Sequence, residues 1–193
     1  QPLEKWNVSN VTNMRDMFYS AESFNSSLID WNVSNVTNMY GIFWNASSFN
    51  QPIMDWKVDN VIHMNNMFNN ATSFNQPLNW NVSKVTNMRN MFDHAITFNQ
   101  PLNWNVSKVT DMRYMFNDAT SFNQPLSNWN VIRVTNMNCM FKDAISFNQP
   151  LNEWNVIRVK NMNSMFYNAR SFNQPLNNWN ISNETRKSYI FDM

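Results

Sequence analysis

The chain has 193 residues, 14 Lys+Arg against 13 Asp+Glu, a net charge of +1 and only 14% charged residues. That is the size of one domain, without the basic field of a bulk nucleic-acid binder or the acidity of a solvating tail. One glycine (Gly41) excludes glycine-built phosphate cradles, and one cysteine (Cys139) excludes an internal disulfide framework and a thiolate zinc cluster. No apolar run approaches the roughly 18 residues of a membrane span.

The unusual counts are 15 Met, 15 Phe, 9 Trp and 39 Asn. A repeat accounts for them. The motif WNVSNVTNM begins at Trp6 and recurs at Trp31, Trp56, Trp80, Trp104, Trp129, Trp154 and Trp179, with spacings of 25, 25, 24, 24, 25, 25 and 25 residues. The unit reads W-N-V-S-x-V-T-N-M-x-x-M-F-x-x-A-x-x-F-N-Q-P-L-x-x, and seven complete units span 6–178. The chain opens on Gln1-Pro2-Leu3, inside a unit, with no polar cap and no signal peptide. This leads to the expectation of a fragment or processed product, with an end-to-end contact from another chain or domain covering that end.

Within each unit two periods follow one another. Trp80 and Val82 have the period-2 spacing of a short strand with both side chains inward. Met88, Met91, Phe92 and Ala95 then fall at i, i+3, i+4 and i+7, which predicts a helix of about two turns, with Thr86 and Asn87 as N-cap residues. Phe98 adds an inward anchor, and Asn99-Gln100-Pro101 predicts the return turn. The Asn after the second Phe (Asn25, Asn50, Asn75, Asn99, Asn123, Asn148, Asn173) reads as a turn residue standing in for glycine. The 24-residue units lose their residue between Leu and Trp, as in Leu78-Asn79-Trp80, so the slip belongs in a turn.

One such unit cannot bury its apolar face alone, and stacked copies can. The expected fold is an α/β repeat solenoid: a right-handed, leucine-rich-repeat-like stack of seven to eight strand–short-helix coils with a parallel sheet on one face. The solenoid covers 1–182, and 183–193 form a C-terminal cap or tail. There Glu184 replaces an inward valine, and Tyr189, Ile190 and Phe191 are expected to fold back.

The unit L-x-x-W-x-V-x-x-V followed by T-N-M-x-x-M-F-x-x-A-x-x-F-N resembles the BspA-like leucine-rich-repeat surface proteins. In particular it is similar to the 25-residue repeat of mycoplasma-type surface lipoproteins, which also occurs in giant viruses and marine protists. The resemblance covers about 1–182. It implies a strand–helix solenoid and a surface-exposed adhesive or recognition role at a cell or virion. One departure stands out: where ordinary leucine-rich repeats carry an inter-coil asparagine, this chain has Val11, Val36, Val61, Val85, Val109, Val134 and Val159. The inter-coil ladder then has to come from elsewhere, with the Asn of F-N as the candidate.

The residues offer little catalytic chemistry. His63 occupies a capping position, and Cys139 lies at a helix position expected to face solvent, two units from His94. No nucleophile and base are paired, so no enzymatic activity and no cofactor are expected. Columns across stacked units carry more information. His94, Asp118 and Asp143 occupy one column and are a weak candidate metal set, against a solvated face as the simpler reading. Four residues past each Trp stand Lys84, Lys108, Arg133 and Arg158 on consecutive coils, a stripe suited to an anionic protein or glycan. Beside it runs an Asn row (Asn81, Asn105, Asn130, Asn155) suited to amide stacking between coils or to a sugar. Eleven N-x-S/T sequons are a by-product of copying, with Asn45, Asn70 and Asn183 the better placed. The sequence therefore points to an extracellular, cell-surface or virion recognition module without a membrane span. The alternative is a structural spacer or filament subunit assembling through open ends.

Overall fold

The computed structural model describes residues 3–191; Gln1, Pro2, Asp192 and Met193 lie outside the described residues. Each repeat makes one coil, and successive coils stack in register. We number them coil 1 (6–30), coil 2 (31–55), coil 3 (56–79), coil 4 (80–103), coil 5 (104–128), coil 6 (129–153), coil 7 (154–178) and a partial coil 8 (179–191).

The Trp-Asn-Val stretch has the facing its spacing predicts. Trp80 and Val82 are buried, and Asn81 between them is exposed. It does not continue as a strand. Asn81 Oδ1 accepts the Ser83 N–H (3.2 Å), and Val85 N–H closes a turn on Val82 O (2.9 Å). This side-chain competition for backbone N–H groups ends extended structure after three residues. The coils then meet in isolated parallel bridges, one per neighbouring pair, from Asn13↔Asn38 to Asn161↔Arg186.

The Met–Phe segment is not a helix. In coil 4, Met91, Asp93 and Ala95 donate to Met88, Asn90 and Phe92 of their own coil (3.1–3.3 Å). The alternating amides of Met88, Asn90, Phe92 and His94 instead donate to Asp111, Arg113, Met115 and Asn117 of coil 5 (2.8–3.0 Å). An α-helix would direct every one of these donors to i−4 within its own segment. The alternation is made possible by two left-handed residues per coil, here Asn90 (φ 56) and His94 (φ 56).

The strand–short-helix solenoid with a parallel sheet is therefore overturned. Among the described residues regular structure is limited to one 3-10 turn, Leu3–Lys5, and single-residue bridges. No helix of the described residues is long and apolar enough to cross a membrane. The left-handed positions, ten and fourteen residues past each Trp, are also not simply asparagine. They hold Asp16, Ser20, Asn66, Tyr114, Cys139 and Ser164 among others. Gly41 (φ 57) shares its column with these side-chain-bearing residues, so its conformation alone does not demand glycine. A Cβ there would crowd Asp16 Oδ1 of the coil below, the end of a side chain free to turn away, so the space does not demand glycine either.

Inside, each coil contributes the same set. The first Phe of each coil stacks on the next at 5.5–5.6 Å between ring centroids (Phe43–Phe68, Phe68–Phe92, Phe92–Phe116), and on its own second Phe at 3.9–4.1 Å. The Trp column follows at 6.4–6.5 Å (Trp56–Trp80, Trp80–Trp104, Trp129–Trp154). These distances lie near the range in which aromatic pairs add to simple burial.

Two polar rails tie the coils. From Trp31 to Trp179, the indole N–H of each coil's opening Trp reaches the carbonyl of the Leu or Ile just before the preceding coil's Trp, as in Trp104 Nε1 to Leu78 O (2.9 Å) and Trp179 Nε1 to Leu151 O (2.8 Å). The Asn after the second Phe has no left-handed backbone; its side chain supplies the inter-coil ladder. Asn75 Oδ1 accepts from Asn99 N (2.9 Å) and Gln100 Nε2 (3.1 Å), and Asn99 Oδ1 does the same for Asn123 and Gln124. The extra residue of the 25-residue coils sits in a turn closed by Trp N–H on Leu O, as at Trp129–Leu126 (3.0 Å); Leu78-Asn79-Trp80 lacks that turn yet keeps the indole bond.

Asn75→Ala leaves two part-buried donors unpaired and should lower unfolding free energy by about 1–3 kcal/mol, whereas Asn75→Asp keeps the acceptor and should lose less. Phe92→Ala, at a fully buried ring, should cost about 3–5 kcal/mol. Urea unfolding of the three variants checks both expectations.

Candidate anion-binding face

The turn that ends each Trp-Asn-Val stretch carries the residue four past Trp to the surface. Lys84, Lys108, Arg133 and Arg158 are all exposed there, on four consecutive coils. In earlier coils the same position is Asn, and its amide is spent on the coil below: Asn35 Nδ2 to Ser9 O (2.8 Å) and Asn60 Nδ2 to Ser34 O (2.9 Å). Lys84 Nζ donates to Asn60 Oδ1 (2.8 Å). None of the four cations makes an ion pair among the described residues. Three cations of the Met–Phe segments do, Arg15 with Asp16, Arg113 with Asp111 and Lys142 with Asp143, while Arg89 hydrogen-bonds Asn90 Oδ1 instead. The neighbouring Asn row does not stack its amides between coils. Asn105, Asn130 and Asn155 each accept the N–H two residues on (3.1–3.3 Å).

At its C-terminal end the column opens into a surface groove of about 640 Å³ that crosses coils 6, 7 and 8. Arg158, Lys160 and Arg186 line it, with Glu184, Asn136 and Asn161. Its origin is a one-residue slip. In coil 7 the turn closes from Val159 N to Val156 O, five and two residues past Trp. In coil 8 the fifth residue is Glu184, which is exposed, and the turn closes one residue later, from Thr185 N to Ser182 O (3.0 Å). Thr185 drops inward and donates its hydroxyl to Val159 O (2.7 Å). Arg186 N then bonds Lys160 O, and the register resumes with Met162 N on Arg186 O (2.7 Å). A carboxylate cannot occupy a valine's buried site without a partner, so the chain bulges to expel it. Past the bulge the repeat continues: Phe191 stacks on Phe166 at 5.6 Å, with Tyr189 and Phe191 largely exposed.

Arg158 was legible in the sequence; Lys160 and Arg186 were missed. The signal lay in two further columns. Lys160 stands where the other coils have Thr or Ile62, and Arg186 where they have Asn, Asp111 or His63.

The second candidate set is brought into one column but not into one site. His94 Nδ1 lies 2.7 Å from Asp93 Oδ1, and His94 Nε2 lies 3.5 Å from Asp118. Asp143 is engaged by Lys142 (2.8 Å) and by Asn168 Nδ2 (2.6 Å). Among the described residues no three His, Cys, Asp or Glu side chains are grouped to hold a metal ion. Burial alone would raise the Asp143 carboxyl, but hydrogen bonds from Lys142 and Asn168 outweigh it and hold it below its ordinary value. The same contact holds the Lys142 ammonium above its own.

Asp93 is the exception, a buried carboxylate. It accepts from Asn117 Nδ2 (2.8 Å), His94 and Asn90 Nδ2 (2.9 Å), yet burial dominates and pushes its carboxyl up. Cys139 corrects a sequence expectation. It is 7% exposed rather than on the solvent side, because its left-handed backbone (φ 54) turns the side chain under Tyr114 and Asn138 instead of outward on a helix. Burial pushes its thiol up, against the opposing pull of Tyr114 and Lys142.

These observations define a tandem-repeat protein of stacked, turn-built coils with a cationic ridge ending in a groove. The chain belongs to the family described as Mycoplasma protein of unknown function, DUF285, which matches residues 1–103 and again 102–193. The join falls at Leu102-Asn103, immediately before the Trp of coil 5. No curated protein and no solved structure matches the chain.

Two outcomes follow. Cys139 should resist a thiol reagent such as DTNB at neutral pH in the native protein and react at once in denaturant, a difference of orders of magnitude in rate. For Asp93, the folded carboxyl holds its proton to higher pH than the unfolded one. Its favourable contribution is therefore present at acid pH and is lost as pH rises through the carboxylate range. Asp93→Asn, the residue of the equivalent Asn69 and Asn117, should raise the melting temperature at pH 7 and change it little at pH 3. Melting curves at the two pH values check this.

Proposed function

We propose that this chain is a non-enzymatic recognition module, displayed at a cell or virion surface, that binds an acidic glycan through Lys84, Lys108, Arg133 and Arg158. The observation that carries the reading is the lack of ion-pair partners, among the described residues, for four exposed cations that stand on consecutive coils of one face. Four like charges on adjacent coils repel one another, so the arrangement costs stability unless a partner neutralises it. A glycan suits the face better than a protein. Ser83 and Ser107 precede the first two cations, and half-buried Ile132 and exposed Ile157 (41%) precede the last two, so apolar surface beside the column is confined to two coils. A protein partner needs an apolar, well-packed centre. Surface display rests on the resemblance of the W-N-V-S-x-V-T-N-M-x-x-M-F unit to BspA-like surface proteins.

The test is binding of dextran sulfate at several salt concentrations by the wild-type chain and by K84N/K108N/R133N/R158N. Asn occupies this position in coils 1–3, so the variant keeps the repeat's own residue and should melt normally. The wild type should bind with a salt slope that falls by roughly 3 in the variant, counting somewhat less than one released counterion per cation. A wild type that ignores dextran sulfate but self-associates would favour the spacer reading instead.

A further inference from the structure

We propose that the groove beside Arg158 is the anchoring subsite of this face and takes a sulfate or phosphate ester group of an acidic polysaccharide. The inference rests on the reading that the face binds a polyanion.

The groove brings together three cations, Arg158, Lys160 and Arg186, against one carboxylate, Glu184. All four are exposed, and none forms an ion pair among the described residues. Two of the other polar lining residues also offer donors. Asn136 and Asn161 spend their Oδ1 atoms on the N–H groups of Asn138 and Asn163 (3.0 Å each), which leaves their NH₂ ends available. Guanidinium, ammonium and amide N–H groups converging on one concavity suit an oxyanion. A sulfate or phosphate ester presents three terminal oxygens and can meet cations from two coils at once; a carboxylate presents two.

The chain's own repeats serve as the comparison. Lys160, Glu184 and Arg186 are each alone of their type in their columns, and all three line this one groove. The concavity itself comes from the bulge that Glu184 forces. Drift spread evenly over eight coils would not gather these departures around a single groove.

The experiment compares two double variants of equal charge loss in the full chain. Lys160→Thr with Arg186→Asn restores the repeat's residues in the groove; Lys84→Asn with Lys108→Asn does so far along the column. Both are titrated with dextran sulfate, phosphorylated dextran and neutral dextran, after melting curves show that they fold. The groove pair should weaken binding of an anionic dextran at least about tenfold, and the distal pair several-fold less. Glu184→Gln should tighten binding. The ratio between sulfated and phosphorylated dextran tells which ester the groove prefers. Equal losses from the two pairs would overturn the subsite while leaving the cationic face in place. No loss from either pair, or equal affinity for neutral dextran, would overturn both.

Discussion

The constraint beneath this structure is backbone satisfaction in a coil of 24 or 25 residues. No coil forms a helix or strand long enough to pair its own amides, so each row must pass some of them to its neighbour. The Met–Phe segment does so with two left-handed residues per coil, such as Asn90 and His94, which turn every second N–H toward the next coil. In the Thr column the direction reverses: Thr110 N donates back to Thr86 O, and Thr135 N to Thr110 O. A coil alone would leave both sets of groups without partners once its core was buried, which is expensive. Stacking is thus a condition for each coil to exist.

Register follows from the same requirement. Phe92 is aligned with Phe116 because its N–H must meet Met115 O, and the rings then stack at 5.6 Å. The asparagine ladder and the indole rail hold two further lines at fixed positions, so a coil cannot slide without breaking bonds in all of them. Coils of unequal length are accommodated only outside these lines, in the Leu-to-Trp turn. Stability in such a stack is a sum of coil and nearest-neighbour terms, which is why one ladder asparagine or one ring carries a measurable share.

Much of this was legible in the sequence, since copying marks each position by its row. The inward identity of Trp80, Val82, Met88, Phe92 and Phe98, the asparagine column and the surface row of cations all follow from alignment of the repeats. The helix did not follow, and the reason is physical. Apolar residues at i, i+3, i+4 and i+7 fit a helical face, but they also fit consecutive turns with a left-handed residue every fourth position. Periodicity alone does not separate the two. The asparagine content of the segment, with its preference for turns and αL, leans toward the second. The same confusion put Cys139 outside: on a helix its position faces solvent, and in a left-handed turn it is folded under Tyr114.

The groove was hidden for a different reason. A column shows which residue changes, and only the backbone shows what the change does to the coil. Glu184 in a valine column reads as a weakened last repeat. In three dimensions its charge cannot be buried, so the chain yields one residue, Thr185 takes the inward place and hydrogen-bonds Val159 O, and Arg186 is delivered beside Lys160. Lys160 and Arg186, outside the four-residue column, thereby join Arg158 in one recess. A uniform row of cations offers an anion only a field, which salt screens and which any polyanion satisfies. A recess with donors from two coils offers geometry as well, and geometry is what turns a charged ridge into a face able to distinguish one acidic partner from another.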